Sequence, residues 1–495
     1  MKTRQQRRQP IDSDLQKNRK FLADEIGLGE SFDLVGKEFT VAGRDALLVG
    51  VDGFIKDGVL LFIVDSLTHL SREDVLPKPM NSLYTKFVGY IECELVDDMY
   101  EAADEILTGP VVLFLDGEEQ CMVIDSRTYP QRAVDEPDLE RVMRGPRDGF
   151  VETLVTNLAL LRRRVRDYSL RVKLATVGAR SQTDVAVLYL EDVANPDTVA
   201  EVLDSIEAID VDGVPMTDKS VVEFMTLGRS RLNPFPVVRN TERPDVTAEY
   251  LFEGHVVVMV DGSPSVILLP VTFFHHLQHA EEFHESVLNG TFIRLLRYFG
   301  VMIAWVGTPL WLVLATNEHL LPDALAIIGP REPPNLPLLL QFIFGEAGIE
   351  LIRMGLVHTP SALATSLGII GAVLLGELAV EVGLFNSEVI LYVIVVALAY
   401  FAIPSWEMSV SLRLCRIVLL LIAGLVGPLG LLIAFLFNVL LLALTRSWGI
   451  PYLWPLLPFN LTGFVDVIYR RPVTAMRRRP SVLRPGDPTR AGEPE

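Results

Sequence analysis

The chain has 495 residues, half of them hydrophobic, and carries a formal net charge of −19 at pH 7. This length exceeds one ordinary domain, and the acidic balance argues against nucleic acid or an anionic lipid surface as the main partner. Its cysteines are only Cys93, Cys121 and Cys415, too few and too scattered for a disulfide framework or a zinc site.

The first part of the chain mixes charged and apolar residues as globular domains do. Residues 1–30 are polar and predict a partly helical segment, without the apolar stretch of a cleavable signal peptide. Residues 31–127 alternate short apolar runs with turn dipeptides, which predicts a first α/β subdomain. Residues 137–230 predict a second α/β subdomain that begins with a helix over 154–165, whose apolar residues form one stripe.

The next stretch, residues 231–297, predicts a linker, a hairpin and a juxtamembrane helix. Three prolines indicate a linker over 231–244, so the soluble region is expected to fold alone when it ends near residue 240. The runs His255–Val260 and Ser265–Leu269 flank a turn sequence and predict a separate hairpin.

A histidine-rich stretch, Phe273–Leu288, precedes the first long apolar segment. His275 and His279 have the i, i+4 spacing of helical metal ligands, but no HExxH sequence accompanies them. We therefore expect an amphipathic interfacial helix here and no metal site.

Residues 298–446 contain three long apolar segments, Tyr298–Ala315, Leu384–Ile403 and Ile417–Leu444. A helix rises about 1.5 Å per residue, so about 20 apolar residues cross the hydrocarbon core of a bilayer. The sequence thus predicts a multi-domain membrane protein: two cytoplasmic α/β subdomains followed by an all-α polytopic transmembrane domain. Residues 447–495 then form a C-terminal motif and a basic, proline-rich tail, which we expect to be extended.

The number of membrane elements, five or six, depends on three less regular segments. Leu338–Met354 could be a re-entrant or interfacial helix, or a span that faces protein. Ser366–Gly383 is rich in glycine, and Gly427-Pro428 either kinks one long helix or separates two short ones.

Arginines on both sides of the block indicate its orientation. Arg294 and Arg297 precede the first span, and several arginines follow from Arg470 onward, so both ends are expected in the cytoplasm. Arg413 and Arg416 also indicate a cytoplasmic segment by the same rule. If Leu338–Met354 is counted as a span, Arg413 and Arg416 satisfy the rule, and the C-terminus is then cytoplasmic only if Ile417–Leu444 crosses twice.

Glu377 and Glu381 are four residues apart, so they share one helix face inside a glycine-rich span. Carboxylates in hydrocarbon must face water, a counter-ion or another subunit, which leaves two interpretations open: an ion pathway, or a structural pair near the helix end that Arg353 neutralises. The candidate residues for an ion pathway or for oligomer contacts are Glu377, Glu381, Gly368, Gly371, Gly376, Glu350 and Arg353.

Motifs of catalysis and cofactor binding are missing from the sequence. It contains no phosphate-binding GxxxxGK[ST], no GxGxxG after a strand and no GxSxG elbow, so neither an enzyme nor a cofactor is expected.

Residues 140–165 read ERVMRGPRDGFVETLVTNLALLRRRV and closely resemble the signature of the A-subunit family of spore germination receptors (GerA type). Residues 447–453, SWGIPYL, with Pro455 are similar to the SFGxPYLxP motif of that family. Residues 466–479 are similar to its closing segment. The histidine stretch resembles most the stage V sporulation protein AF branch. The residues that match family motifs are Arg144, Gly145, Pro146, Gly149, Phe150, Glu152, Asn157, Arg162, Arg163, Arg164, Gly449, Pro451 and Tyr452.

The resemblance implies a spore inner-membrane protein with a cytoplasmic N-terminal region and an oligomeric membrane domain that conducts ions during germination. The implied partners are further copies of the chain, receptor subunits of the B and C types or a small membrane partner, and the lipid bilayer. One departure lies at Glu350–Gly355, where ELIRMG replaces the family's ELLREA, so a family glutamate is replaced by Met354. A non-conducting scaffold or transducer, which couples germinant receptors to dipicolinate release, is the alternative.

Overall fold

The computed structural model describes residues 7–88, 92–128, 145–227, 233–317, 330–358 and 379–490. The chain divides into two compact units and passes from one to the other four times. Unit 1 comprises Met1–Arg229, Val238–Pro270 and Arg471–Glu495, and unit 2 comprises Ser230–Val237 and Val271–Arg470.

The first subdomain of unit 1 is an antiparallel sheet with helices on both faces. Its strands are β1 (Leu34–Val41), β2 (Arg44–Val51), β3 (Cys93–Val96), β4 (Val111–Leu115) and β5 (Cys121–Ile124), in the order β1-β2-β4-β5-β3. Its helices are α1 (Leu15–Ile26), α2 (Asp57–Thr68), α3 (Arg72–Val75), α4 (Pro79–Ser82) and α5 (Met99–Thr108), and a π-helical turn spans Leu83–Phe87.

The subdomain has three layers, a sheet between two sets of helices, because the apolar side chains of the central strands alternate between the two faces of the sheet. Val112 and Phe114 of β4 pack in one apolar cluster with residues of α1 and α5, whereas Leu113 and Leu115 pack in another with residues of α2, α3 and α4. Successive side chains of a strand point to opposite faces, so β4 is buried on both sides. The expected α/β subdomain is therefore present, and the short apolar run over 59–64 lies in the helix α2.

The second subdomain contains a sheet of the order β6-β7-β9-β10-β8. Its strands are β6 (Leu170–Val177), β7 (Thr183–Leu190), β8 (Arg239–Thr241), β9 (Val256–Val260) and β10 (Val266–Leu269), and its helices are α6 (Leu154–Arg162), α7 (Pro196–Glu207), α8 (Thr217–Met225) and α9 (Pro244–Glu253).

The β9–β10 hairpin lies inside this second sheet, whereas the sequence placed it in a separate segment after residue 230. Strand β9 pairs with β7, with Val187 opposite Val258, and every residue of β9 is buried. Pro244 begins α9, where the missing N–H costs nothing, and does not close a linker. The second subdomain thus extends to about residue 270, because only the hairpin covers the edge of β7.

The C-terminal tail belongs to unit 1 and is not an extended free segment. Arg479 Nε donates to Phe252 O at 2.6 Å, at the end of α9. Arg490 pairs with the Glu249 carboxylate of the same helix, and Gly486 N donates to Val193 O at 2.9 Å. These contacts dock the tail on the second subdomain.

Unit 2 is helical apart from one short hairpin in the part of the chain that the structure describes. Its helices are α10 (Glu281–His284), α11 (Val287–Thr316), α12 (Leu338–His358), α13 (Ala379–Glu381), α14 (Ser387–Tyr400), α15 (Trp406–Val426), α16 (Pro428–Leu444) and α17 (Leu461–Ile468). Helices α11 and α15 are long and apolar enough to cross a membrane, and α14 and α16 are shorter apolar helices. Gly427, with φ 82°, separates α15 from α16, so the Gly-Pro pair divides two helices.

Helices α11 and α15 pack side by side and run in the same direction. Arg416 Nη1 lies 3.5 Å from Ala304 O, and further along both helices Leu420 shares an apolar cluster with Trp311.

Helix α12 runs in the opposite direction to these two. The beginning of α12 packs near the end of α11, where the Phe342 ring lies 5.3 Å from the Trp311 ring. Near its other end, Glu350 pairs with Arg413, one turn before Arg416 in α15.

Helix α14 also runs opposite to α11. The Tyr392 ring lies 5.0 Å from the Trp311 ring, and Tyr400 Oη, two turns later, donates to Ala304 O at 3.3 Å.

Helix α16 returns to the level where α15 begins. Asn233 Nδ2 donates to Thr445 Oγ1 at 2.7 Å just after α16, and the neighbouring Pro234 O accepts from Ser411 near the start of α15. The stretch Ile417–Leu444 therefore runs forward in α15 and back in α16.

The histidine-rich stretch is not one amphipathic helix. A 3₁₀ turn spans Phe273–Leu277 and is entirely buried, and Gln278 is extended, with ψ 140°. The short α10 follows, and Ser286 then caps α11 by accepting from Asn289 N. Local capping thus breaks the helical register that would have placed His275 and His279 on one face.

Candidate functional site

Unit 2 contains five charged side chains on facing stretches of α12 and α15, here called the ionic cluster: Glu346, Glu350, Arg353, Arg413 and Arg416. The three residues of α12 are four and three apart, so they share one helix face. Arg416 pairs with Glu346, and Glu350 pairs with both Arg353 and Arg413. These ion pairs join α12 to α15.

Two aromatic rings cover the arginines of the cluster. The Tyr400 ring lies 4.7 Å from Arg413 Cζ and 4.8 Å from Arg416 Cζ, and the Trp406 ring lies 4.8 Å from Arg353 Cζ. Cations held over aromatic faces at these distances gain a favourable interaction that increases when water is excluded. The rings therefore stabilise positive charge at the junction of α12, α14 and α15.

Burial differs between the two halves of the cluster. Only 1% of the Arg416 side chain and 12% of the Glu346 side chain are exposed, against 30% for Arg353 and 32% for Glu350. A buried ion pair gains little over apolar packing, but removal of one partner leaves an uncompensated charge. Three arginines against two glutamates leave the cluster a formal charge of +1.

The candidate residues from the sequence fall into three groups in the structure: two that contact each other, one that is exposed, and four that lie outside the described residues. Glu350 and Arg353 are brought together, so Arg353 has a partner on its own helix. Glu381 is exposed in α13. The remaining candidates lie outside the described residues: Glu377, Gly368, Gly371 and Gly376.

Sequence reasoning noted Glu346 at helical spacing with Glu350 and Arg353 but left it out of the candidate residues, and it did not pair Arg413 and Arg416 with these glutamates. It used the two arginines as indicators of a cytoplasmic segment, and the structure adds that both lie inside the helical unit and pair with glutamates. The signal was available, because charged residues at helical spacing within two apolar helices indicate mutual pairing.

A second group of charges surrounds the start of α11. Glu282 is fully buried, and its carboxylate accepts from Arg294 Nε at 2.6 Å and pairs with Arg297. Arg294 also donates to Asp466 O at 2.7 Å, and Arg470 donates to Phe283 O at 2.8 Å. Through these contacts, Arg294 and Arg470 join the segment that precedes α11 to the segment around the end of α17.

In unit 1, the motif over 140–165 holds the two subdomains together. Arg162 Nε donates to Asp33 Oδ2 at 2.6 Å, and Asp33 Oδ1 accepts from Ser31 Oγ at 2.7 Å. Arg164 forms a two-bond pair with Asp148 at 2.7 and 2.6 Å. Arg163 is exposed, and Arg144 lies outside the described residues.

The same motif closes onto the second sheet. The Asn157 amide group bonds both N and O of Val151. Asp261 Oδ1, in the β9–β10 turn, accepts from Leu154 N at 3.0 Å and caps α6. Backbone hydrogen bonds also join Phe150 N to Glu242 O and Gly262 N to Glu152 O, and the Arg243 side chain donates to Pro146 O at 3.2 Å. Within the described residues, the motif is structural.

A second polar contact between the subdomains is more exposed. Lys173 Nζ of β6 donates to Glu30 Oε1 at 2.6 Å. This hydrogen bond lowers the pKa of the Glu30 carboxyl below its ordinary value, partly opposed by desolvation.

The C-terminal motif forms a hairpin from β11 (Arg446–Ser447) and β12 (Ile450–Pro451). Trp448 and Gly449 both have positive φ, 43° and 78°, as a type I′ turn requires. This turn directs Ser447 and Tyr452 toward the chain around residue 236.

The hairpin forms hydrogen bonds with residues 236 and 237, which the sequence indicated as part of a linker. Tyr452 Oη donates to Pro236 O at 2.6 Å and Ser447 Oγ to Val237 O at 2.7 Å. Tyr452 is completely buried, and desolvation raises its pKa well above the ordinary value. Residues 233–237 are thus an ordered part of unit 2.

A protein-family model described as Bacillus/Clostridium GerA spore germination protein matches residues 22–482. Among curated proteins, stage V sporulation protein AF of Bacillus subtilis (strain 168) is 40% identical over 469 residues, 95% of each chain. Spore germination protein B1 of the same organism is 30% identical over 96% of this chain and 99% of its own. Spore germination protein KA is 27% identical over 94% and 86%.

A comparison with solved structures finds the N-terminal domain of the A subunit of the Bacillus megaterium spore germinant receptor GerK3. The two share 23% identity and align with a TM-score of 0.43, over 54% of this chain and 99% of that chain.

Proposed function

The chain belongs to the GerA family of spore germination proteins, and from this premise we propose that it acts in the membrane of spores as a component of the germination apparatus. It forms part of an oligomeric, ion-conducting assembly in the spore inner membrane that triggers or amplifies germination, and it catalyses no reaction. The observation that carries the proposal is an inverted distribution of polarity in unit 2, with apolar side chains outside and the ionic cluster inside.

The exterior of unit 2 supports a lipid environment. On α16, Leu429, Phe437 and Leu444 are 65%, 63% and 71% exposed, whereas Asn438 on the same helix is buried. The Asn438 amide donates to Ala434 O, so its polar group is satisfied within the helix. An exposed apolar surface of this extent is unusual for a soluble monomer.

Helix directions support six crossings with both ends in the cytoplasm. Helices α11 and α15 run one way and α12, α14 and α16 run the other. Helix α12 ends at the level where α15 begins, since Arg353 lies over the Trp406 ring, whereas α14 begins at the opposite end of the bundle. An even number of crossings then requires one further crossing between α12 and α14, which we assign to the predicted span Ser366–Gly383; residues 366–378 of this span lie outside the described residues. An even number of crossings leaves both ends of the chain on one side of the membrane. The C-terminal tail belongs to the same compact unit as the N-terminal region, which agrees with that number.

Cysteine labelling of intact cells tests this orientation in a variant that lacks Cys93, Cys121 and Cys415. Glu332→Cys, an exposed residue in the connection before α12, should react with a membrane-impermeant maleimide. Glu201→Cys, an exposed residue of α7, should react only after the membrane is permeabilised. The reverse pattern would overturn the proposed orientation.

Conduction is tested with the purified protein in planar bilayers. Discrete single-channel currents support the proposal, provided that they are absent when the protein is omitted or heat-denatured. A correctly folded oligomer without any current contradicts it and favours the alternative below.

The alternative is a non-conducting scaffold or transducer that couples germinant receptors to dipicolinate release. The observation that favours it is the pairing of every member of the ionic cluster within one chain. Such mutual pairing suits a structural lock between α12 and α15 as well as it suits the wall of a pathway. In both cases the partners are further copies of the chain and other germination membrane proteins, of the receptor B and C types or a small membrane protein.

A further inference from the structure

Helix α11 is interrupted in its middle by Pro309. Proline has no backbone N–H, so the carbonyl of Trp305, four residues earlier, has no donor from the helix. In the same turn, Trp305 Nε1 and Thr308 Oγ1 are buried and have no hydrogen-bond partner within the part of the chain that the structure describes. Thr308 is completely buried and Trp305 is 6% exposed. Among the described residues, this helical turn thus contains two unsatisfied side-chain groups away from bulk water, beside a carbonyl that has lost its usual helical donor.

Two further unsatisfied atoms lie next to this turn, on the buried half of the ionic cluster. Arg416 Nε and Glu346 Oε1 also have no hydrogen-bond partner among the described residues. Their other atoms are engaged, since Arg416 Nη2 pairs with Glu346 Oε2 and Arg416 Nη1 lies 3.5 Å from Ala304 O. Ala304 and Thr308 are four apart and therefore adjacent on one face of α11. Thr308 therefore lies one turn from the carbonyl that Arg416 approaches, in a region bounded by α11, α12 and α15, whereas the Trp305 ring of the same turn packs against the Phe435 ring of α16.

Such a concentration of unsatisfied polar atoms is uncommon, because nearly all buried polar groups in native proteins are hydrogen-bonded to protein or to ordered water. The region offers donors on Arg416 and Trp305, acceptors on Glu346 and on the Trp305 carbonyl, and a hydroxyl on Thr308 that does both. A bare cation is disfavoured beside Arg416, and an anion is disfavoured beside Glu346. Water both donates and accepts, and buried waters commonly make two to four hydrogen bonds.

We propose that unit 2 encloses an internal water site, bounded by Trp305, Thr308, Glu346 and Arg416. The waters connect the proline-interrupted turn of α11 with the buried ion pair, and they lower the cost of keeping that pair inside an apolar bundle. The proposal goes beyond the function proposed above, because the site exists within one copy of the chain whether or not the assembly conducts ions.

X-ray radiolytic labelling of the full-length protein in detergent tests the site, because hydroxyl radicals form from water at the place where it is bound. Trp305 is the reporter and Trp311 is the matched control, since both are buried tryptophans of α11, 6% and 3% exposed. Trp311 packs between the Phe342 and Tyr392 rings. We expect oxidation of Trp305 at least ten times faster than oxidation of Trp311. Equal rates would overturn the proposal.

Thr308→Val provides an independent measurement because valine has nearly the same shape without the hydroxyl. If waters satisfy Thr308, the substitution removes hydrogen bonds, so it should lower the Tm by about 2–4 °C and slow the oxidation of Trp305 severalfold. If the hydroxyl is dry and unsatisfied, valine should raise the Tm. A raised Tm therefore also overturns the proposal.

Discussion

Arg162 Nε and Asp33 Oδ2 lie 2.6 Å apart, with 1% and 2% of their side-chain surfaces exposed. The arginine ends α6 in the second subdomain, and the aspartate immediately precedes β1 in the first. Arg162 also donates to the carbonyls of Asp167 and Leu170 at 3.3 and 3.5 Å. This buried pair, 129 residues apart in sequence, joins the two subdomains of unit 1.

Arg162→Met should destabilise unit 1 by about 3–5 kcal/mol, because it leaves Asp33 charged and buried without a counter-ion. Urea unfolding of a fragment that ends at Pro270 measures the change. Arg163→Met, at the exposed neighbour, should shift the free energy of unfolding by less than about 0.5 kcal/mol. The double variant Asp33→Leu, Arg162→Met should recover part of the loss, and a single variant as stable as the wild type would contradict the assignment.

A fragment that ends at Asn240 should fail to fold its second subdomain, whereas one that ends at Pro270 should unfold cooperatively. The shorter fragment lacks β9 and β10, which lie between β7 and β8 in the sheet. Circular dichroism and thermal melting of both fragments measure the difference. Equal, cooperative melting of the two would show that the hairpin is dispensable.

Arg416→Met should lower the stability of the full-length protein in detergent by about 3–5 kcal/mol, since it strands the Glu346 carboxylate inside the bundle. Arg353→Met is the matched control: Glu350 retains Arg413 as its partner, so the loss should stay below about 1 kcal/mol. Intrinsic tryptophan fluorescence during heating records both. Adding Glu346→Gln to Arg416→Met should restore part of the Tm, and no recovery would argue against direct pairing.

Glu377→Gln should preserve assembly while reducing any cation conductance in planar bilayers, because it removes a charge without a change of size. Gly371→Leu should break the oligomer by steric exclusion while the soluble unit stays folded. Size-exclusion chromatography and bilayer recordings separate the two effects. An unchanged conductance in Glu377→Gln would place the pathway elsewhere, and normal assembly of Gly371→Leu would refute close packing of this span.

The sequence by itself determined the features that depend on local chemistry. Turn dipeptides between short apolar runs predicted the first α/β subdomain, and one of them, Asp116-Gly117, lies between the paired strands β4 and β5. The apolar stretch over 298–315 indicated α11, and the motif over 140–165 indicated the family, which the family model confirms. Each of these signals is contained within a few turns of chain, so no knowledge of distant residues was needed.

Only the tertiary structure decided which distant segments pair. Nothing in the local sequence of the β9–β10 hairpin indicates that it pairs with β7. Likewise, nothing in the sequence around Arg479 indicates that it donates to the Phe252 carbonyl. The sequence used Arg413 and Arg416 only as indicators of orientation, and only the structure shows that they pair with Glu350 and Glu346 of α12 inside the bundle. Strand order and ion pairing depend on which surfaces meet after folding, and residues far apart in sequence contribute to them equally.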